Sequence, residues 1–88
     1  MQFQRDQQQI TLIENDRLTA AATFPVIDPQ TWAVEHIWVA NSYPDRQALA
    51  GQLIDHIAAL AQAEHVKLLP LDPYARQYLR HNKPTLIR

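Results

Sequence analysis

The sequence predicts an α+β domain in which antiparallel strands lead into a βαβ unit closed by a C-terminal helix. Three observations carry that reading. Leu18, Ala20, Ala22, Phe24 and Val26 alternate with Thr19, Thr23 and Pro25, which is the period of a half-buried strand. Leu49, Leu53, Ile54, Ile57, Leu60 and Ala61 then recur at helical spacing, with Gln52, Asp55, His56, Gln62 and Glu64 on the other face. Val66, Leu68, Leu69 and Leu71 follow as a short apolar run with almost no alternation, as expected of a strand buried on both faces in a parallel pairing.

Taken in order, Ile10, Leu12 and Ile13 mark a first strand over residues 8–14. The Glu14-Asn15-Asp16-Arg17 cluster after it holds residue types that tolerate positive φ in a tight hairpin. The alternating strand comes next. Asp28-Pro29-Gln30 supplies a second turn, and residues 31–40, rich in β-branched and aromatic side chains, form a third strand. Its parity assigns His36 to the face shared with Trp32, Val34 and Trp38. After Asn41-Ser42-Tyr43-Pro44-Asp45 the period changes to that of a helix of about four to five turns, which serves as the crossover between parallel strands. Asp72-Pro73 has the N-cap and first-turn proline of a last helix, running through Tyr74, Tyr78 and Leu79 until Asn82-Lys83-Pro84 stops it.

Length and composition narrow the function. Residues 1–88 are read as a single domain, able to bury ~60–65% of its unfolded surface, so a ligand site would be a groove rather than a deep cavity. Eight Lys and Arg against nine Asp and Glu, for a net charge of -1, leave no electrostatic footprint for nucleic acid or acidic lipid. The absence of cysteine removes disulfides, zinc ribbons and thiolate nucleophiles. His36, His56, His65 and His81 lack metal-ligand spacing, so no metal site is expected. Met1-Gln2-Phe3-Gln4-Arg5-Asp6 has no apolar core of a signal peptide, and no apolar stretch approaches membrane-spanning length; a cytoplasmic protein is expected. Two parallel strands joined by a helix create a crevice at their carboxyl ends, with unpaired helix amides beside it, and any ligand is expected there.

At that edge the chain reads His36-Ile37-Trp38-Val39, then Asp45-Arg46-Gln47-Ala48-Leu49-Ala50-Gly51, then Leu69-Pro70-Leu71-Asp72-Pro73-Tyr74. Over roughly residues 35–81 this resembles the short, single-domain branch of the GNAT (N-acetyltransferase) superfamily. That branch carries a His-Thr-x-Val strand, an Arg-Gly-x-Gly-Ile-Ala-Gly helix opening and a Pro-x-Cys-x-Tyr segment. The resemblance implies a GNAT-like fold that binds acetyl-CoA and transfers the acetyl group to an amine on a small molecule or protein. The amides of Gln47, Ala48, Leu49, Ala50, Gly51 and Gln52 would face the pyrophosphate; the edges of Trp38, Val39, Ala40 and Leu69 would flank the pantetheine; His36, Asp72 or Tyr74 would handle the proton. Arg46 and Ala48 stand where the branch has glycine, Asp45 where it has arginine, and Asp72 where it has cysteine, which leaves direct transfer as the mechanism.

Each of these residues also has a plain structural reading. Gln47 to Gly51 suit the first turns of any amphipathic helix, Gly51 suits close helix-to-strand packing, Asp72 suits an N-cap, and Tyr74 with Tyr78 suits one packed helix face. The alternative function is therefore a degenerate GNAT-fold protein without transferase activity. It would bind acyl-CoA without turning it over, or act as an interaction module that homodimerises through a sheet edge or its tryptophan-bearing face.

Overall fold

Asn15 and Asp16 reverse the chain with φ of 54° and 61°, and the hairpin they make is the centre of the sheet. In the computed structural model, which describes residues 3–88, strands β1 (Phe3–Asp6), β2 (Gln9–Glu14) and β3 (Arg17–Thr23) pair antiparallel in sequence order. Of the N-terminal stretch read for a leader, Met1 and Gln2 lie outside the described residues. Strands β4 (Val26–Asp28), β5 (Thr31–Val34) and β6 (His36–Val39) follow, then helix α1 (Arg46–Ala63), strand β7 (Lys67–Pro70), helix α2 (Pro73–Asn82) and a 3-10 turn (Pro84–Leu86). The pairing orders are β1-β2-β3-β6 and β4-β5-β7, antiparallel throughout except for the parallel β5–β7 pair. The βαβ unit is thus present, with α1 as its crossover.

Several sequence expectations are corrected, for local reasons. Phe3–Asp6 is a strand that no alternation announced, because its burial is slight and its pairing with β2 is what orders it. The expected strand through Val26 breaks after Thr23, since Pro25 has no amide for a ladder, and Leu18 and Val26 end up exposed while Ala20, Ala22 and Phe24 enter the core. The expected strand over residues 31–40 divides at Glu35. Thr31, Trp32, Ala33 and Val34 are all buried, and β6 then starts a new alternation. The expectation that β7 is buried on both faces also fails: Leu68 and Pro70 are buried but Leu69 and Leu71 face outward, because the helices leave the other side of the sheet uncovered.

Helix α1 buries Leu49, Leu53, Ile54, Ile57, Ala58 and Ala61 against Ile10, Leu12, Phe24, Leu68 and Leu79, which together form the core cluster of the described residues. Leu53, Ile54, Ile57 and Leu68 are fully excluded from solvent, and each removes enough apolar surface to contribute about 1.5–3 kcal/mol. Helix α2 packs on α1 at Gly51. A Cβ there would meet Tyr78 Cε2 at 3.0 Å, so the lone glycine is explained by contact with a helix and not by the expected packing on a strand.

Candidate functional site

The division at Glu35 creates the site. Up to Val34 the chain is zipped to β7, with Thr31 opposite Lys67 and Val34 opposite Pro70. The last links are the amides of Leu71 and Asp72, which both donate to Val34 O at 2.9 and 3.1 Å. Beyond that point β6 pairs with β3 alone, and the two parallel-running segments separate. The amides of Glu35 and Ala40 donate to Thr23 O and Thr19 O, while the register sets His36 opposite Thr23 and Trp38 opposite Ala21. Two successive residues, Glu35 and His36, therefore face the one residue Thr23, which is a bulge. Since backbone groups alternate in direction along a strand, Trp38 and Ala40 point their amides at β3, and Ile37 and Val39 point theirs into the gap.

The crevice so opened has a volume of about 200 Å³ and is lined by Ile37, Val39, Arg46, Gln47, Ala50, Asp72 and Tyr74. One wall is the apolar edge of β6, the other the start of α2. At its head stands the N-terminus of α1, where Asp45 is the N-cap: Ala48 N–H donates to Asp45 Oδ1 at 3.1 Å and Leu49 N–H to Asp45 O at 3.2 Å. The amides of Ala50, Gly51 and Gln52 lie within the helical ladder, so the expected run of open amides from Gln47 to Gln52 contracts to Arg46 and Gln47. The Arg46 guanidinium reaches across to Val39 O at 3.4 Å.

Tyr74 Oη donates to Gln47 O at 3.0 Å, tying α2 to the first turn of α1. Partial burial, and secondarily the nearby Asp45 and Asp55 carboxylates, raises its pKa above the ordinary 10.0, so the phenol keeps its proton. Tyr78, one turn on, donates to both carboxylate oxygens of Asp55 at 3.0 Å, and burial first, then that bond, raises its pKa too. Asp72 caps α2, its Oδ1 accepting from Ala75 N–H at 2.9 Å.

Of the residues picked from the sequence, Val39, Gln47, Ala50, Asp72 and Tyr74 meet in this crevice. Ala48, Gly51 and Gln52 line a second groove between α1 and α2, Ala40 lines a hollow beside the Asn15 hairpin, and Leu49 is buried in the core. His36 and Trp38 are exposed and absent from the crevice wall, because the bulge inverts the parity by which they were assigned to the face of Trp32 and Val34. Leu69 lies opposite Ala33 in the zipped half. Ile37 and Arg46 were missed as site residues, and only an alternation restarted after Glu35 would have found Ile37. Among the described residues no group of three or more potential ligands could hold a metal ion, and no helix is long and apolar enough to cross a membrane.

No family model matches this sequence, and no curated protein matches it. Structure comparison does find a relative in shape. A GCN5-like protein from Staphylococcus aureus, solved in solution by NMR and described as a candidate N-acetyltransferase, superposes with a TM-score of 0.75 at 12% identity, covering 94% of this chain and 81% of that one. The fold is the GNAT fold. In this GNAT-like chain the strand that diverges is β6, the strand left behind is β7, and the helix between them is α1.

Proposed function

We propose that this protein is an N-acyltransferase that takes an acyl thioester on a pantetheine arm, acetyl-CoA being the simplest such donor, and transfers the acyl group to an amine. The observation that supports this reading above others is the gap between β6 and the end of β7, which leaves the Ile37 and Val39 amides unpaired beside a proton-bearing phenol. A crevice of about 200 Å³ with an apolar wall suits the arm and the acyl group. The nucleotide would lie outside it.

The donor supplies an activated carbonyl; the residues supply position, polarisation and a proton route. An amide of β6, fixed by the sheet and aimed into the gap, hydrogen-bonds the carbonyl oxygen as charge gathers there. The acceptor nitrogen forms the new C–N bond with its lone pair, the C–S bond breaks, and the sulfur leaves with the electron pair. Tyr74, turning its hydroxyl from Gln47 O, gives that sulfur its proton, a role suited to a phenol held protonated. Asp72 lines the crevice and caps α2 through Oδ1, and its other carboxylate oxygen would receive the proton shed by the amine.

The test is thiol release from acetyl-CoA and from S-acetyl-pantetheine with a panel of amines, alongside thermal shift with each donor. A donor at 100 times its dissociation constant stabilises the fold by ~2.7 kcal/mol. Release above background supports transfer. A shift without release leaves a binder, and neither shift nor release at millimolar donor overturns the reading in favour of an interaction module.

A further inference from the structure

We propose that the acyl donor is carried by an acidic protein on a phosphopantetheine arm, rather than by free coenzyme A. This rests on the acyltransfer reading above and sharpens its donor. Two independent features point to it.

The first is unfavourable to a nucleotide. The groove that continues from the crevice past Gln47 and Tyr74 is bounded by the Asp45 and Asp55 carboxylates, and no lysine or arginine is among the residues that line it. Asp45 also occupies the Ala48 amide, one of the donors an anion at this helix end would use. The one cation at the crevice, Arg46, is turned inward to Val39 O. A nucleotide bearing a pyrophosphate and a further phosphate would have to lie across like charge. A carrier-bound arm brings a single phosphodiester charge.

The second feature favours a protein. Pro73, Arg76, Gln77, Arg80 and His81 form a continuous solvent-facing stripe on α2, lining a hollow of about 360 Å³ that begins one residue from Asp72. Neither guanidinium of the stripe has a hydrogen-bond or ion-pair partner among the described residues, whose two ion pairs are Arg5–Glu64 and Asp28–Arg88. Arg80 and His81 suit the C-terminal dipole of α2, but Arg76 is mid-helix and is not accounted for that way. An acidic helical surface docking on this stripe would feed its arm into the crevice beside it. The chemistry is the same transfer: the C–N bond forms, the C–S bond breaks, and the carrier is released with a free, reprotonated thiol.

The experiment compares kcat/KM for three donors: acetylated acidic acyl carrier protein, acetyl-CoA and S-acetyl-pantetheine. The carrier is expected to exceed acetyl-CoA by roughly tenfold at low salt, an advantage that shrinks as salt screens the docking charges. R76E/R80E should lower the ratio of carrier to S-acetyl-pantetheine by about as much, while R17E, on the hairpin, leaves it unchanged. D45N/D55N keeps hydrogen-bonding side chains in place and should raise the ratio of acetyl-CoA to S-acetyl-pantetheine. Acetyl-CoA equal to or better than the carrier, or a donor ratio unmoved by R76E/R80E, overturns the proposal while leaving acyl transfer standing. No release from any of the three donors overturns both.

Discussion

The two halves of one strand, β5 and β6, are built from similar residues and do opposite things. In β5 all four side chains are buried and the backbone is paired on both sides, to β4 and to β7. In β6 the partner on one side is gone, the burial falls to a single residue, Val39, and backbone amides face an open crevice. One extra residue, Glu35, separates them. The contrast is between a buried, doubly paired, zipped half and an open, splayed half that the proposed transfer would use, so substitutions in each should move different observables.

The largest effect is expected in the zipped half. Leu68→Ala removes a fully buried side chain from β7, in the core shared with α1, and should cost about 2–5 kcal/mol, on the order of the whole stability of so small a domain, read as the loss of the urea midpoint. Tyr74→Phe tests the splayed half. Its hydrogen bond to Gln47 O is partly exposed, so stability should fall by ~1 kcal/mol, whereas kcat should fall about 100-fold if the phenol is the proton donor. Because its pKa is raised, wild-type activity should persist on the alkaline side beyond pH 10.0 before the phenol ionises. The accompanying stability contribution is present below the unfolded value and lost as pH rises through the folded one. An alkaline limb falling well below that pH would assign the proton to another group.

A smaller effect separates packing from ligand at Gly51. Gly51→Ala should be near neutral by itself, because about 1 kcal/mol of helix propensity is offset by the contact with Tyr78. In a Tyr78→Ala background the same change should stabilise by nearly that whole amount in thermal melts. Equal effects in both backgrounds would remove the packing explanation. The smallest effect belongs to the far end of the zipped half, where Asp28 accepts from the Arg88 guanidinium and the Gln30 amide, and Arg88 also donates to Thr31 Oγ1. The Gln30 amide first, then Arg88, lowers its pKa below 3.8, so its contribution is present above that value and lost as pH falls through the lowered one. Asp28→Asn should flatten that part of the acid unfolding profile without changing the midpoint shape near neutrality.

Legibility in the sequence followed from how local each determinant is. The hairpin at Asn15 and Asp16, the crossover helix, the N-cap at Asp72 and the second parallel strand are all set by residues adjacent in the chain, through turn dihedrals, capping and helical period. Asp72, Tyr74, Val39, Gln47 and Ala50 could be picked for the crevice because they flank those elements. His36 and Trp38 could not be placed, since a bulge at Glu35 reverses the side chains of β6 and nothing in Val34-Glu35-His36 announces it, and Leu69 could not because its strand stays zipped to β5 there. The sequence by itself determined the order and type of the main elements, because period and capping act over a few residues. Tertiary structure alone decided where the strand bends, which amides stay free and that Gly51 serves Tyr78, because those depend on what distant segments leave unpaired or bring into contact.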